Sequence, residues 1–314
     1  MNVLNAAAVL LALAGTSGHA QQSSNLVGEV RAAIARQDFA EGDRLIASRR
    51  AAAGVTPEML EALSWMGRGA LAAGQLDIAD AYGRQTYDLA LVALKGRGVD
   101  EDPRMATAVG ASIEVLAQAG ARLGTRSEAV AFLQQELQRW GDTSLRKRIQ
   151  KNINLLSLEG VSAPPIDATE YLGSKPPTLD SLRGKVVLLF FWAHWCGDCK
   201  TQAPVLARLL ERYGGQGLTL LAPTQRYGYV AGGTPATADV EKRYIDQVRR
   251  SAYGQLIDMP APLGAATHDR YGVSTTPTLV LFDRKGVVRL YHPGRMTEDE
   301  LEPVVRRLVT GGQP

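Results

Sequence analysis

Cys196 and Cys199 are the only two cysteines in the 314-residue chain, and they share one C-x-x-C, Cys196-Gly197-Asp198-Cys199. Two thiols at this spacing can form a redox pair, supply half of a zinc site, or stand together by chance. Zinc would need two further ligands, and the candidates His194, His268 and His292 include no pair at the H-x3–5-H spacing. Covalent haem attachment would need His after the second cysteine, where Lys200 stands. A disulfide-rich scaffold and an all-cysteine metal site are excluded by the count.

The surroundings of the motif favour redox exchange. Val186 to Ala193 (VVLLFFWA) is an apolar run of strand length, as expected for a strand buried on both faces of a sheet. Trp195 immediately precedes Cys196, and Val205, Leu206, Leu209 and Leu210 fall on a helical period that Gly214-Gly215 ends. Cys196 then sits at a helix N-terminus, where unpaired N–H groups and the macrodipole stabilise a thiolate. Such sites lower a thiol from ~8.5 into the range ~3.5–7.5. Cys199, one turn inside, is shielded and within reach of the first sulfur. Cys196 is expected to be the exposed thiol and Trp195 to flank the sulfurs as a surface platform.

The elements that must position this motif follow a β-α-β-α-β-β-α order. Leu218 to Ala222 (LTLLA) reads as a second strand, and a longer excursion follows, with a Gly-Gly-Thr-Pro turn and a helix expected at 237–250. Thr278 to Phe282 and Val287 to Tyr291, joined by Asp283-Arg284-Lys285-Gly286, read as a β-hairpin. Thr297 and Glu300 form a capping box that opens a last helix. Pro204 inside the helix after the motif is expected to kink it.

FFWAHWCGDCK, the hairpin and Thr275-Thr276-Pro277-Thr278 before it resemble the thioredoxin fold. The TLDSLRGK lead-in at 178–185 and the excursion before Pro277 resemble the exported TlpA-like branch of thiol–disulfide oxidoreductases. The resemblance covers about 163–311. It implies a central mixed sheet flanked by helices and a catalytic pair Cys196 and Cys199. It also implies a cis proline at Thr276-Pro277, whose backbone receives a substrate strand. A membrane electron donor is implied in the same way. Gly197-Asp198 departs from the family, whose members commonly carry proline beside the second cysteine. The Asp198 carboxylate either faces the thiolate and raises its pKa, giving a less oxidising couple, or points to solvent. Pro223-Thr224-Gln225-Arg226 holds no carboxylate where many relatives have one, which removes the expected source of a buried proton acceptor. His194 faces either the dithiol or the other side of the sheet.

From Asn25 to about Gly160 the chain is rich in Ala, Leu, Arg, Gln and Glu at helical spacing. AIARQDFAEGDRLIAS (33–48) aligns with ALAAGQLDIADAYGRQ (70–85), and RLGTRSEAVAFLQQ gives a third copy in which Gly124 matches Gly74 and Ala129 matches Ala79. This loosely resembles tetratricopeptide repeats, helix pairs with a small residue at the crossing; an irregular helical bundle is the other reading. The Ser162-Ala163-Pro164-Pro165 stretch places a domain boundary near residue 160. The expected organisation is a signal peptide at 1–20, an all-α helical repeat-like domain at 21–160 and a thioredoxin-like α/β domain at 161–314. The signal rests on the apolar run Ala6–Gly15, too short to span a bilayer, and on Gly18 and Ala20 before a cleavage point; no Lys or Arg precedes the run.

Lys+Arg 35 against Asp+Glu 32 gives a net charge of only +3, too little to argue for nucleic acid or a membrane surface. No cofactor is implied. The expected function is a periplasmic or otherwise exported reductase of protein disulfides, with a possible partner on the helical half. The competing reading is a partner-binding adaptor with a vestigial dithiol. A peroxidase would need the Pro-x-x-x-Thr-x-x-Cys setting of peroxiredoxins, which the chain lacks.

Overall fold

The computed structural model describes residues 25–256 and 259–311. The expected signal peptide at 1–20 lies outside the described residues.

Seven helices come first: α1 (Leu26–Ala35), α2 (Phe39–Ala53), α3 (Pro57–Ala72), α4 (Leu76–Leu94), α5 (Pro103–Arg122), α6 (Arg126–Trp140) and α7 (Arg146–Ser157). Polar side chains start several of them. Asn25, Asp38, Thr56 and Asp102 each accept an N–H from the first turn, satisfying donors that the helix leaves open. Consecutive helices pack as antiparallel neighbours, and the small residues sit where the helices approach. A Cβ on Gly42 would meet Met66 Sδ at 2.5 Å, and one on Gly69 would meet Ile34 Cγ2 at 2.6 Å. The three aligned turns share one backbone feature. Gln37, Gly74 and Gly124 all have positive φ, at 60°, 75° and 101°.

The second half builds on a four-stranded sheet in the order β3-β2-β5-β6, with β2 (Val186–Phe191), β3 (Leu218–Leu221), β5 (Thr278–Phe282) and β6 (Val288–Pro293). β2 runs parallel to β3 and antiparallel to β5, and β5 and β6 form the hairpin with an irregularity at Leu281/Phe282. Alternate residues of β2 feed two cores. Val186, Leu188 and Phe190 join α8 (Gly197–Tyr213) and α11 (Glu298–Val309) on one face; Val187, Leu189 and Phe191 face Tyr271, Tyr291 and Leu158 on the other. This is why the run carries no polar residue: a strand with period two and helices on both sides has no solvent side. α8 continues through Pro204 to Tyr213 without interruption.

Three elements went beyond the expected order. β1 (Tyr171–Leu172) pairs with β4 (Ala261–Pro262) in a separate two-stranded sheet, and α10 (Ala265–Arg270) precedes β5. Two-residue strands and a six-residue helix are too short to show a period. The excursion helix is α9 (Ala238–Ala252).

α7 belongs to both cores. Ile149 and Ile153 pack with the helical half, whereas Leu155 and Leu158 pack on the sheet. Lys147 Nζ lies 3.3 Å from Asp269, and Asn154 Nδ2 donates to the Arg270 carbonyl at 3.2 Å. Gly272 presses its backbone against that of Lys151, leaving no space for a Cβ. No described helix is long and apolar enough to cross a membrane.

Candidate functional site

β2 ends at Phe191, and Trp192 to Trp195 lead from the sheet into α8. Cys196 is the N-cap of α8, its sulfur accepting the Cys199 N–H at 3.0 Å, and the two cysteines are joined in a disulfide. A sulfur in this position sits in the field of the open N–H groups of the first turn, which favours negative charge on it after reduction. In the oxidised pair Cys196 is 3% exposed and Cys199 is fully buried. The cover comes from the loop before β5. The Thr276–Pro277 bond is cis, and the Thr276 carbonyl oxygen lies 3.5 Å from Cys196 Sγ. Pro277 itself is buried, and its carbonyl accepts from Gly294 N at 2.8 Å.

Trp195 is half exposed and meets Tyr227 edge-on at 5.5 Å. Asp198 points outward, its side chain 67% exposed, with Arg295 Nε 3.5 Å from its carboxylate. The solvent reading of Asp198 is the one the geometry favours. Arg295 comes from the segment after β6, far from the motif in sequence.

The largest omission of sequence reasoning lies behind Trp195. His194 is buried, its ring surrounded by Tyr227, Tyr229 and Tyr244 at 5.2–5.6 Å. Glu241 from α9 is 1% exposed, and its Oε1 stands 3.6 Å from His194 Nε2. The same carboxylate accepts the N–H groups of Tyr227 (2.5 Å) and Gly228 (2.9 Å). A buried carboxylate is therefore present near the motif after all, supplied by the excursion helix and not by the loop after β3. Burial pushes the His194 pKa down, and the neighbouring Glu241 opposes that shift. The signal was available in α9, where Glu241 shares a helical stripe with buried Ile245 and Val248.

Gln202, one turn beyond Cys199, is also buried. Its Oε1 accepts from Met296 N at 2.9 Å, and its Nε2 has no partner among the described residues. Across the sheet, Thr224 Oγ1 donates to the Trp192 carbonyl at 2.8 Å, fixing the approach to the motif. Gln225, beside it, accepts from Lys147 Nζ of α7 at 3.0 Å. The helical half thus touches the same loop that carries Tyr227.

A sheet of this order, a helix that opens on C-x-x-C and a cis proline facing the first sulfur define a thioredoxin-like oxidoreductase. A family profile described as AhpC/TSA family matches residues 160–291. The thioredoxin-like protein YneN of Bacillus subtilis is 31% identical over 147 residues, covering 46% of this chain and 76% of the relative. The thiol-disulfide oxidoreductase ResA of Bacillus thuringiensis is 28% identical over 149 residues, covering 48% of this chain and 78% of the relative. A solved thiol-disulfide isomerase from Corynebacterium glutamicum is 22% identical, with 47% of this chain and 97% of that chain covered at a TM-score of 0.38. The chain belongs to the TlpA-like, ResA-type branch of the thioredoxin-fold thiol–disulfide oxidoreductases. The helices of the first half lie outside the matched family segment.

Proposed function

We propose that this chain is an exported reductase of protein disulfides that works through Cys196 and Cys199. The observation that carries the reading is the placement of the Cys196 sulfur, which accepts the Cys199 N–H on one side and lies against the Thr276 carbonyl of the cis-proline loop on the other. In the reduced protein the Cys196 thiolate attacks one sulfur of a substrate disulfide. The substrate S–S bond breaks, its other sulfur leaves as a thiolate, and Cys196 is joined to the substrate in a mixed disulfide. The Cys199 thiolate then attacks Cys196 Sγ, frees the second substrate thiol and closes the Cys196–Cys199 bond. Two electrons pass to the substrate. A membrane dithiol donor returns them, as the family resemblance implies.

In this reading Trp195, Thr276 and Pro277 form the wall along which a substrate strand lies, and Asp198 modulates the couple from the surface. The protein acts outside the cytoplasm; the relation to ResA-named relatives supports this. Residues 21–160 act as a helical domain and 161–314 as the redox domain.

Reduction of insulin by the purified chain, compared with Cys196→Ser, tests the activity. Cys199→Ala should hold the mixed disulfide and reveal the captured protein. Absence of turnover in the wild type would leave the adaptor reading, in which the helical half binds a partner and the dithiol is vestigial.

A further inference from the structure

α7 reads RKRIQKNINLLS, and its polar residues divide between two directions. Arg148, Lys151 and Asn152 reach into the helical half. There Glu114 of α5 lies 3.2 Å from Arg148 and 2.7 Å from Lys151, and accepts from Asn152 Nδ2 at 3.3 Å. Gln118 Nε2 donates to Asn152 Oδ1 at 2.9 Å. With Ile149 and Ile153 packed beside them, these contacts seat α7 firmly on α5. Lys147 and Asn154, at positions i and i+7 of one helix face, turn the other way, toward the redox half.

Lys147 meets both segments that flank the dithiol. Its Nζ donates to Gln225 Oε1 at 3.0 Å and lies 3.3 Å from Asp269 Oδ1. Buried Gln225 leads directly to Tyr227, the ring that Trp195 meets edge-on. Asp269 lies in α10, and α7 holds the end of that helix as well. Asn154 Nδ2 donates to the Arg270 carbonyl at 3.2 Å, and Gly272 lies backbone to backbone against Lys151. From Gly272 the chain runs to Thr276, whose carbonyl covers Cys196 Sγ. The two segments touch each other where Gly264 N donates to the Thr224 carbonyl at 3.0 Å. Lys147 adds a second tie between them, and it comes from outside the redox half.

We propose that Lys147 is a positioning residue for disulfide exchange at Cys196: anchored on the helical half, it sets the spacing between the Tyr227 loop and the cis-proline loop. The helical half is then part of the framework of the redox site. The inference rests on the dithiol reading given above. Residues 225–228 and 271–277 lie in no helix or strand, so their placement depends on ties of this kind. An ammonium suits the task because one cation can serve an amide oxygen and a carboxylate together, and a hydrogen bond that carries charge is roughly twice as strong as a neutral one. Loss of the tie lets the two loops part, which uncovers Cys196 and loosens the wall that receives a substrate strand.

The test uses the full chain and follows reduction of the Cys196–Cys199 disulfide by dithiothreitol, sampled by thiol alkylation. Lys147→Met keeps the aliphatic stem and removes the donor; reduction should run about three to ten times faster, because the cover over Cys196 opens more often. Lys147→Arg keeps charge and donors and should restore the wild-type rate. Asp269→Asn should speed reduction less, and adding it to Lys147→Met should change nothing further, since both act through one contact. Insulin reduction by Lys147→Met should show a raised KM with kcat kept. Arg49→Met breaks a comparably exposed pair with Glu58, 3.0 Å apart inside the helical half, and should react as the wild type does. Denaturant unfolding checks each variant; should Lys147→Met fail to fold, Asp269→Asn decides. A wild-type rate in Lys147→Met overturns the proposal, as does failure of Lys147→Arg to restore it. An equal gain in Arg49→Met also overturns it, since that would mean general loosening of the helical half. A wild type that does not reduce insulin overturns the reductase reading instead, because the dithiothreitol comparison needs no protein substrate.

Discussion

Glu241 stands 3.6 Å from His194 Nε2, beyond hydrogen-bond reach, while its oxygens accept the Tyr227 and Gly228 backbone N–H groups, so one buried carboxylate fastens the loop behind Trp195. Tyr227 in turn is the edge on which Trp195 rests. The excursion between β3 and β4 is thereby built into the dithiol's surroundings.

Glu241→Gln should loosen that loop. The amide can accept one of the two N–H groups but presents its own N–H to the other. The expected cost is about 1–3 kcal/mol, the range for leaving a buried donor unmet. Denaturant unfolding gives the stability, and Trp195 fluorescence quenching reports the exposed ring; unaltered values in both would show that the loop does not depend on this carboxylate.

Asp198 and Arg295 should act on the couple with opposite signs. Asp198→Asn removes a negative charge near the sulfur, favours the thiolate and makes the couple more oxidising. Arg295→Gln removes the facing positive charge and makes it less oxidising. Because the Asp198 side chain is 67% exposed and already faces Arg295, each change should stay below about 20 mV, the equivalent of ~1 kcal/mol for two electrons. Glutathione titrations of both variants and the double variant measure this. Shifts of the same sign would contradict the geometry.

His268 gives the protein a predictable acid limb. Burial pushes its pKa down to about 3, with Lys147 adding to the shift, against ~6.5 in the unfolded chain. Between those values the unfolded state binds the proton and the native state does not. Its contribution is therefore complete above ~6.5 and is lost as pH falls toward 3, by at most ~1.4 kcal/mol per pH unit. His268→Asn should flatten this limb of the stability curve; parallel wild-type and variant curves from denaturant unfolding between these pH values would refute it.

Gln37 is the one member of the three matched turns that is not glycine, yet it holds φ at 60°. Left-handed backbone costs a residue with a Cβ roughly 1 kcal/mol that glycine does not incur. Gln37→Gly should raise the thermal midpoint, since relief of that strain exceeds the extra chain entropy. A lowered midpoint would mean that the Gln37 side chain contributes more than its backbone costs.

The sequence by itself determined the core of the redox half. VVLLFFWA is apolar at every position because both faces of β2 are covered, and that pattern together with C-x-x-C and Thr276-Pro277 fixed the fold and the dithiol. The repeated turn also showed in one dimension, as Gly74 and Gly124 at matched places. What lay beyond it were relationships between distant segments. Glu241 looked like one charge on an amphipathic helix until α9 folded under the 225–229 loop. Arg295 gave no sign of facing Asp198, and Lys147 gave none of reaching Gln225 and Asp269. Local periodicity records which face of an element is buried, but the partner on that face is chosen by packing between elements. The covering of Cys196 by the Thr276 carbonyl was decided in the same way: a helix N-terminus predicts an open sulfur, and only the folded chain brings a loop from 80 residues away to lie over it.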